Sequence, residues 1–154
     1  MAGPPPEAVP SIRLPPPLDG DACRVTFDAI PGGVVRGILF RAVGTYTGPV
    51  MVDAYRAMAQ VTVGDTLNVL GDTRAAEAFL DTASYEAASR LLVARGIRFL
   101  NVVLCDQDAG RAFVARFGNA VSRIHGLQVE TQVVPTMAEA VAALAEIAAR
   151  PPRS

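Results

Sequence analysis

Side chains able to do covalent or acid–base chemistry are sparse in this sequence: one histidine, His125, and two cysteines, Cys23 and Cys105, with Asp72, Asp106 and Asp108 placed just after strand-like runs. An imidazole can move protons near neutral pH and a thiolate can attack an electrophile, but each needs an orienting or activating neighbour. His125 stands directly before Gly126 at the end of a helical stretch, where the imidazole can meet the last carbonyls and the glycine can form a left-handed cap. Cys105 stands beside Asp106, whose negative charge raises a thiol pKa. Two Cys and one His at distant positions fit no zinc spacing. The loops after parallel strands collect ligands in open α/β sheets, so Asp72, Asp106 and Asp108 can offer oxygens to a divalent cation. Helix capping accounts for the last two without one, and neither a metal nor another cofactor is expected.

All 14 basic residues are arginine, which removes Schiff-base lysines and the lysine of a phosphate-binding loop. The glycines at 32, 33 and 37 sit between strand-like runs and do not open a helix, so they are not a phosphate cradle. Against 15 acidic residues the net charge is -1, too weak a field to attract nucleic acid or an anionic membrane. No apolar run approaches the roughly 20 residues of a membrane span. No signal-peptide pattern opens the chain, and with few cysteines the expected setting is the cytoplasm.

One segment is positioned for regulation: Asp81-Thr82-Ala83-Ser84-Tyr85, at a candidate helix start. A phosphate added there brings up to two negative charges to a place where backbone donors and partner groups converge. An N-cap worth about 1 kcal/mol explains Thr82 or Ser84 equally simply. Arg111, Arg116 and Arg123 share one face of a later helix, opposite Phe113 and Phe117, and form a surface able to recognise carboxylates or phosphates.

The elements that would hold these residues follow from pattern. Residues 1–20, with Pro4, Pro5, Pro6 and Pro15, Pro16, Pro17, read as an extended tail without helix or strand ladder, and residues 151–154 as a frayed end. Residues 21–150 read as one α/β domain. Cys23 to Ile30 and Val34 to Gly44 form a hairpin about Pro31-Gly32-Gly33, with Gly37 a bulge or a close packing approach. Its exposed first strand offers an edge for homodimerisation. Thr47 or Gly48 caps a helix to about Val61 whose inner face carries Met51, Tyr55 and Met58.

Thr66 to Gly71 reads as a short buried strand ending at Asp72-Thr73. A helical pattern follows through Ala76, Phe79, Leu80, Ala83, Ala87 and Leu91, as one helix or as one that starts only at Asp81–Ser84. Gly96 ends it, and Ile97 to Cys105 is a strand. The next helix buries Phe113, Phe117, Val121 and Ile124. Leu127 to Val134 is a fifth strand, and Thr136 with Glu139 makes the capping box of a fourth helix that buries Met137, Val141, Leu144 and Ala148. Short connections through helices require parallel strands, so the last four strands run parallel and the first is antiparallel at an edge.

This β-β-α-β-α-β-α-β-α order, with Leu67-Asn68-Val69-Leu70 and Phe79-Leu80-Asp81-Thr82-Ala83-Ser84, resembles the anti-sigma factor antagonist (STAS) superfamily and its lipid-binding-like relatives. The family's segment is similar to Asp-Ser-Ser-Gly, whose second serine a partner kinase phosphorylates to break a protein complex. Aligning Asp81 with the motif aspartate puts Thr82 at the first serine and Ala83 at the second, so the resemblance implies a member without the phosphoacceptor. It implies a mixed five-stranded sheet and a non-enzymatic regulatory or adaptor domain of bacterial signalling that works by protein–protein contact through Asp72 and Asp81 to Tyr85. The alternative is a small-ligand or lipid-binding domain with its pocket beside Met51, Tyr55 and Met58.

Overall fold

The structure, a computed structural model, describes residues 13–105 and 109–150, without the side chains of residues 109–114. Its strands are β1 (Leu18–Asp19), β2 (Cys23–Ala29), β3 (Ile38–Thr47), β4 (Thr66–Phe79), β5 (Arg98–Leu104) and β6 (Val129–Val134). Its helices are α1 (Gly48–Val61), α2 (Thr82–Ala94), α3 (Ala109–Ile124) and α4 (Met137–Ala149). The six strands lie in one sheet in chain order, β1 to β3 antiparallel and β3 to β6 parallel. Right-handed crossovers between sequential parallel neighbours all return on the same side of the sheet. That rule puts α1, α2 and α3 on one face, and α4, which crosses nothing, on the other.

The alternation of side chains along each strand divides the core accordingly. Val25, Phe27, Phe40, Val69, Phe99 and Val129 pack with Met51, Met58, Tyr85 and Leu92 on the three-helix face. Leu39, Leu70, Leu100, Val102 and Leu104 pack with Ala140, Leu144 and Ile147 of α4 on the other. Each fully buried leucine or isoleucine contributes about 1.5–3 kcal/mol of transfer free energy to that second layer.

Parallel pairing of the last four strands, four helices and the Thr136–Glu139 box are as the sequence pattern implies; the Glu139 amide donates to Thr136 Oγ1 at 3.2 Å. Several details differ. Among the described residues the sheet has six strands, because Leu18 and Asp19 follow the prolines, carry ladder donors of their own and pair with Val25 and Arg24. The second hairpin strand starts at Ile38, and Gly37 is a close approach: a Cβ there would lie 2.5 Å from the Asn68 carbonyl oxygen. Phe117 and Ile124 are exposed, and α3 turns Gly118, Val121 and Ser122 inward. In α4 Ile147 is buried in place of the exposed Ala148.

The largest difference is β4, which does not stop at Asp72 but continues to Phe79. Ala76 and Phe79 are strand residues, and no helix lies between Asp72 and Asp81. The extension pairs with Val43 to Thr47, after a shift in which Arg41 opposes Asp72 and Val43 opposes Ala75. One more residue is thus spent on β4 than on β3, a bulge. Asp72 fastens it. Its carboxylate accepts from the Arg74 backbone N–H at 3.2 Å and from Arg74 Nε and Nη2 at 3.0 Å each, and Arg41 Nε stands 3.6 Å away. Burial pushes this carboxyl up, but the Arg74 hydrogen bonds and the two guanidinium charges outweigh it and hold the pKa below its ordinary 3.8.

Candidate ligand cavity

Between the sheet and α1 to α3 lies a cavity of about 460 Å³. Strand alternation supplies its floor: Val69, Gly71 and Thr73 from β4, Phe99, Asn101, Val103 and then Cys105 along β5, and Val129 and Thr131 from β6. Gly71 leaves the centre of that floor without a side chain. Tyr46 and Phe40 close one end, their rings 5.5 Å apart, and Tyr55 of α1 packs against Phe99 at 5.2 Å.

Helix α2 roofs the cavity from a start defined by Asp81, whose carboxylate accepts from the Ser84 N–H at 2.7 Å. The Ser84 side chain, and then this N–H bond, hold the Asp81 carboxyl below its usual range, as expected of an anion at a helix N-terminus. Two glycines bring the helices close enough to form the roof. Ser84 packs directly on Gly48 of α1, where a Cβ would collide with its hydroxyl and fall 2.6 Å from its Cβ. The ring of Tyr85 packs directly on Gly118 of α3, where a Cβ would meet its Cε1 and fall 2.5 Å from Cζ. Farther along, the Ser89 hydroxyl donates to the Tyr85 carbonyl at 2.6 Å and lies 2.9 Å from the Ser122 hydroxyl, joining α2 to α3 through a buried polar contact.

The cavity is electrically quiet. Glu77, exposed on the β4 extension, is the sole charged side chain among the described lining residues. Burial pushes the phenol of Tyr85 up to about 12 and those of Tyr46 and Tyr55 well above their ordinary value, so all three are neutral hydroxyls at physiological pH. The remaining polar wall is amide and alcohol: Asn101, Asn119, Ser89, Ser122, Thr73 and Thr131. The Asn119 side-chain oxygen is buried without a hydrogen-bond partner among the described residues. Such an acceptor costs about 1–3 kcal/mol while unmet.

Among the residues singled out from sequence, Met51, Tyr55 and Tyr85 meet in this wall, whereas Met58 is fully buried in the core and does not reach it. Asp81, Thr82 and Ala83 are exposed at the start of α2, but Ser84 is buried. Asp72 lies at the bulge on its arginines. Asp106 and Asp108 lie outside the described residues, as do the side chains of Arg111 and Phe113. Arg116 is exposed, and Arg123 is turned to the Val129 carbonyl at 3.3 Å. Gly126 takes φ +85° as a left-handed cap, but the His125 imidazole faces Glu86 at 3.9 Å and not the helix carbonyls. Cys23 and Cys105 are buried and not joined in a disulfide, and among the described residues no cluster of three His, Cys, Asp or Glu could hold a metal.

Sequence reasoning missed Gly71, Asn101, Ser89, Gly118 and Asn119. The available signals were a glycine inside a strand pattern, an asparagine at an inward position of the most apolar strand, and a Gly-Asn pair within a helix.

A mixed sheet in this order, with three helices over one face and one over the other, defines a SpoIIAA-like, or STAS, α/β fold. Among solved structures the chain is similar to an uncharacterized protein of the DUF3478 family with a SpoIIAA-like fold from Shewanella loihica PV-4. The TM-score is 0.55 at 13% sequence identity, over 82% of this chain and 98% of that one. No protein-family model and no curated protein matches the chain. Among the described residues no helix is long and apolar enough to cross a membrane.

Proposed function

We propose that the chain is a non-enzymatic binding module that takes a small, largely apolar molecule into the cavity between the sheet and α1 to α3. The observation that supports this reading is the cavity itself. Its volume of about 460 Å³ falls in the range of roughly 300–1,000 Å³ typical of small-molecule sites, and its wall is apolar and aromatic with a few convergent hydroxyls and amides. A catalytic reading has no comparable support, since the described wall offers one carboxylate and no base within its reach. The test is titration of the purified full-length chain with the uncharged dye Nile red. Saturable, one-to-one fluorescence enhancement that Gly71→Val removes is expected. Unsaturable enhancement, or enhancement equal in Gly71→Val, would count against the cavity.

A regulatory adaptor that docks on a protein partner is the second reading, and one observation favours it. Phe79 is 57% exposed two residues before the exposed Asp81, Thr82 and Ala83. An aromatic ring beside a helix start can anchor a partner. Phe79→Ser should release such a partner in a pull-down from the native host without changing the melting temperature. Retention of the same partners by the variant would remove this support.

A further inference from the structure

We propose, resting on the cavity reading above, that the ligand is an uncharged amphiphile: an apolar chain or ring system ending in a hydroxyl or primary amide, and not a carboxylate, phosphate ester or amine. The polar inventory of the wall decides this. An anionic head buried in a cavity of low polarity needs a cation or a converging set of backbone donors, and desolvation of an unpaired charge costs several kcal/mol or more. Among the described lining residues there is no arginine and no histidine, and the chain has no lysine. Glu77 places the one charge of the described wall on an exposed residue, where it opposes the entry of anions.

A cationic head fares no better inside. Cys105 and the three tyrosine rings line the cavity, but Glu77 is exposed, so among the described residues an ammonium seated near Asn101, Asn119 and Ser122 has no buried counter-charge. A hydroxyl or amide suits the same groups. It can donate to an acceptor such as Asn119 Oδ1, which is buried and has no partner among the described residues, and accept from a neutral phenol or amide. Recognition by neutral donors and acceptors discriminates sharply, because a ligand that cannot match them leaves buried polar groups unpaired.

The experiment is competition against Nile red on the full chain with three ligands of one chain length: dodecanol, dodecanoate and dodecylammonium. At about pH 8 the acid is fully ionised and the amine protonated. Displacement by dodecanol at least tenfold tighter than by either charged ligand is expected, with the acid approaching the alcohol as the pH falls toward about 5 and the carboxyl takes up its proton. Equal or tighter displacement by dodecanoate or dodecylammonium would overturn the neutral-ligand proposal and leave the cavity reading standing. Failure of all three ligands to displace a dye that binds Gly71→Val as well as the parent chain would overturn both.

Discussion

Gly71 tests the cavity without reference to any ligand. A Cβ added there would lie 3.7 Å from Phe40 Cδ1 and 4.0 Å from Asn101 Oδ1, both ordinary contact distances, on a strand residue with no positive φ. Gly71→Ala therefore adds a buried methyl, worth about 0.8 kcal/mol, where there is room for it. It also removes the excess backbone entropy of a glycine in a strand interior, about 0.5–1 kcal/mol. Together these predict stabilisation by about 1.5 kcal/mol, a rise in Tm of roughly 3–8 °C for a domain of this size. Urea denaturation with an unchanged m-value, supported by differential scanning fluorimetry, measures it. Gly71→Val carries two further methyls into the same space and should keep the fold while losing the dye. A loss of 1 kcal/mol or more in Gly71→Ala would refute the reasoning, because it would mean that the space above Gly71 is already occupied by packed atoms.

Other substitutions should behave oppositely. Gly118→Ala forces a methyl into the Tyr85 ring and should cost about 1–3 kcal/mol; combining it with Tyr85→Leu should recover part of that loss in a double-mutant cycle. Ser84→Asp, a phosphate mimic at a surface helix start, should here destabilise the domain by about 2 kcal/mol or more, since it drives a charge against Gly48; thermal denaturation reads the effect. Asp72→Asn should cost about 1–2 kcal/mol, less than for a fully buried pair because Arg41 and Arg74 are 46% and 39% exposed and can be hydrated. Because the native pKa of Asp72 is depressed, its contribution is complete above the ordinary 3.8 and lost as pH falls through the lower native value. Acid titration of stability should accordingly be shallower in Asp72→Asn over that interval.

The order of elements was legible because helix caps and strand composition are local. Asp81, Thr136, Gly96 and Gly126 act on neighbours within four residues, and each marks its boundary as its chemistry requires. Residues 72–79 were not legible. Asp-Thr-Arg-Ala-Ala-Glu-Ala is rich in helix formers, and it is extended because β3 runs far enough past the bulge to pair with it. The inner face of α2 was misplaced by one position for a related reason. Its buried residues include Ser84 and Ser89, made acceptable inside by Gly48 and Ser122 from distant parts of the chain. The cavity depends on which strand faces lie under which helices, information that no window of sequence contains; only the Met51 and Tyr55 stripe pointed toward it.

The sheet laid down in chain order bears on how the protein is made. Every strand is hydrogen-bonded to its immediate predecessor, so no segment has to be inserted between two strands already paired. During synthesis the β2–β3 hairpin and the β3–α1–β4 unit can close before β5 has left the ribosome. The opposite face pays for this convenience: Leu39, Leu70 and Leu100 lack their helical cover until α4, the last of the described elements, arrives with Leu144 and Ile147. A chain stopped short of Met137 would carry a complete sheet with one greasy side, a sticky species for chaperones to hold until the final helix docks.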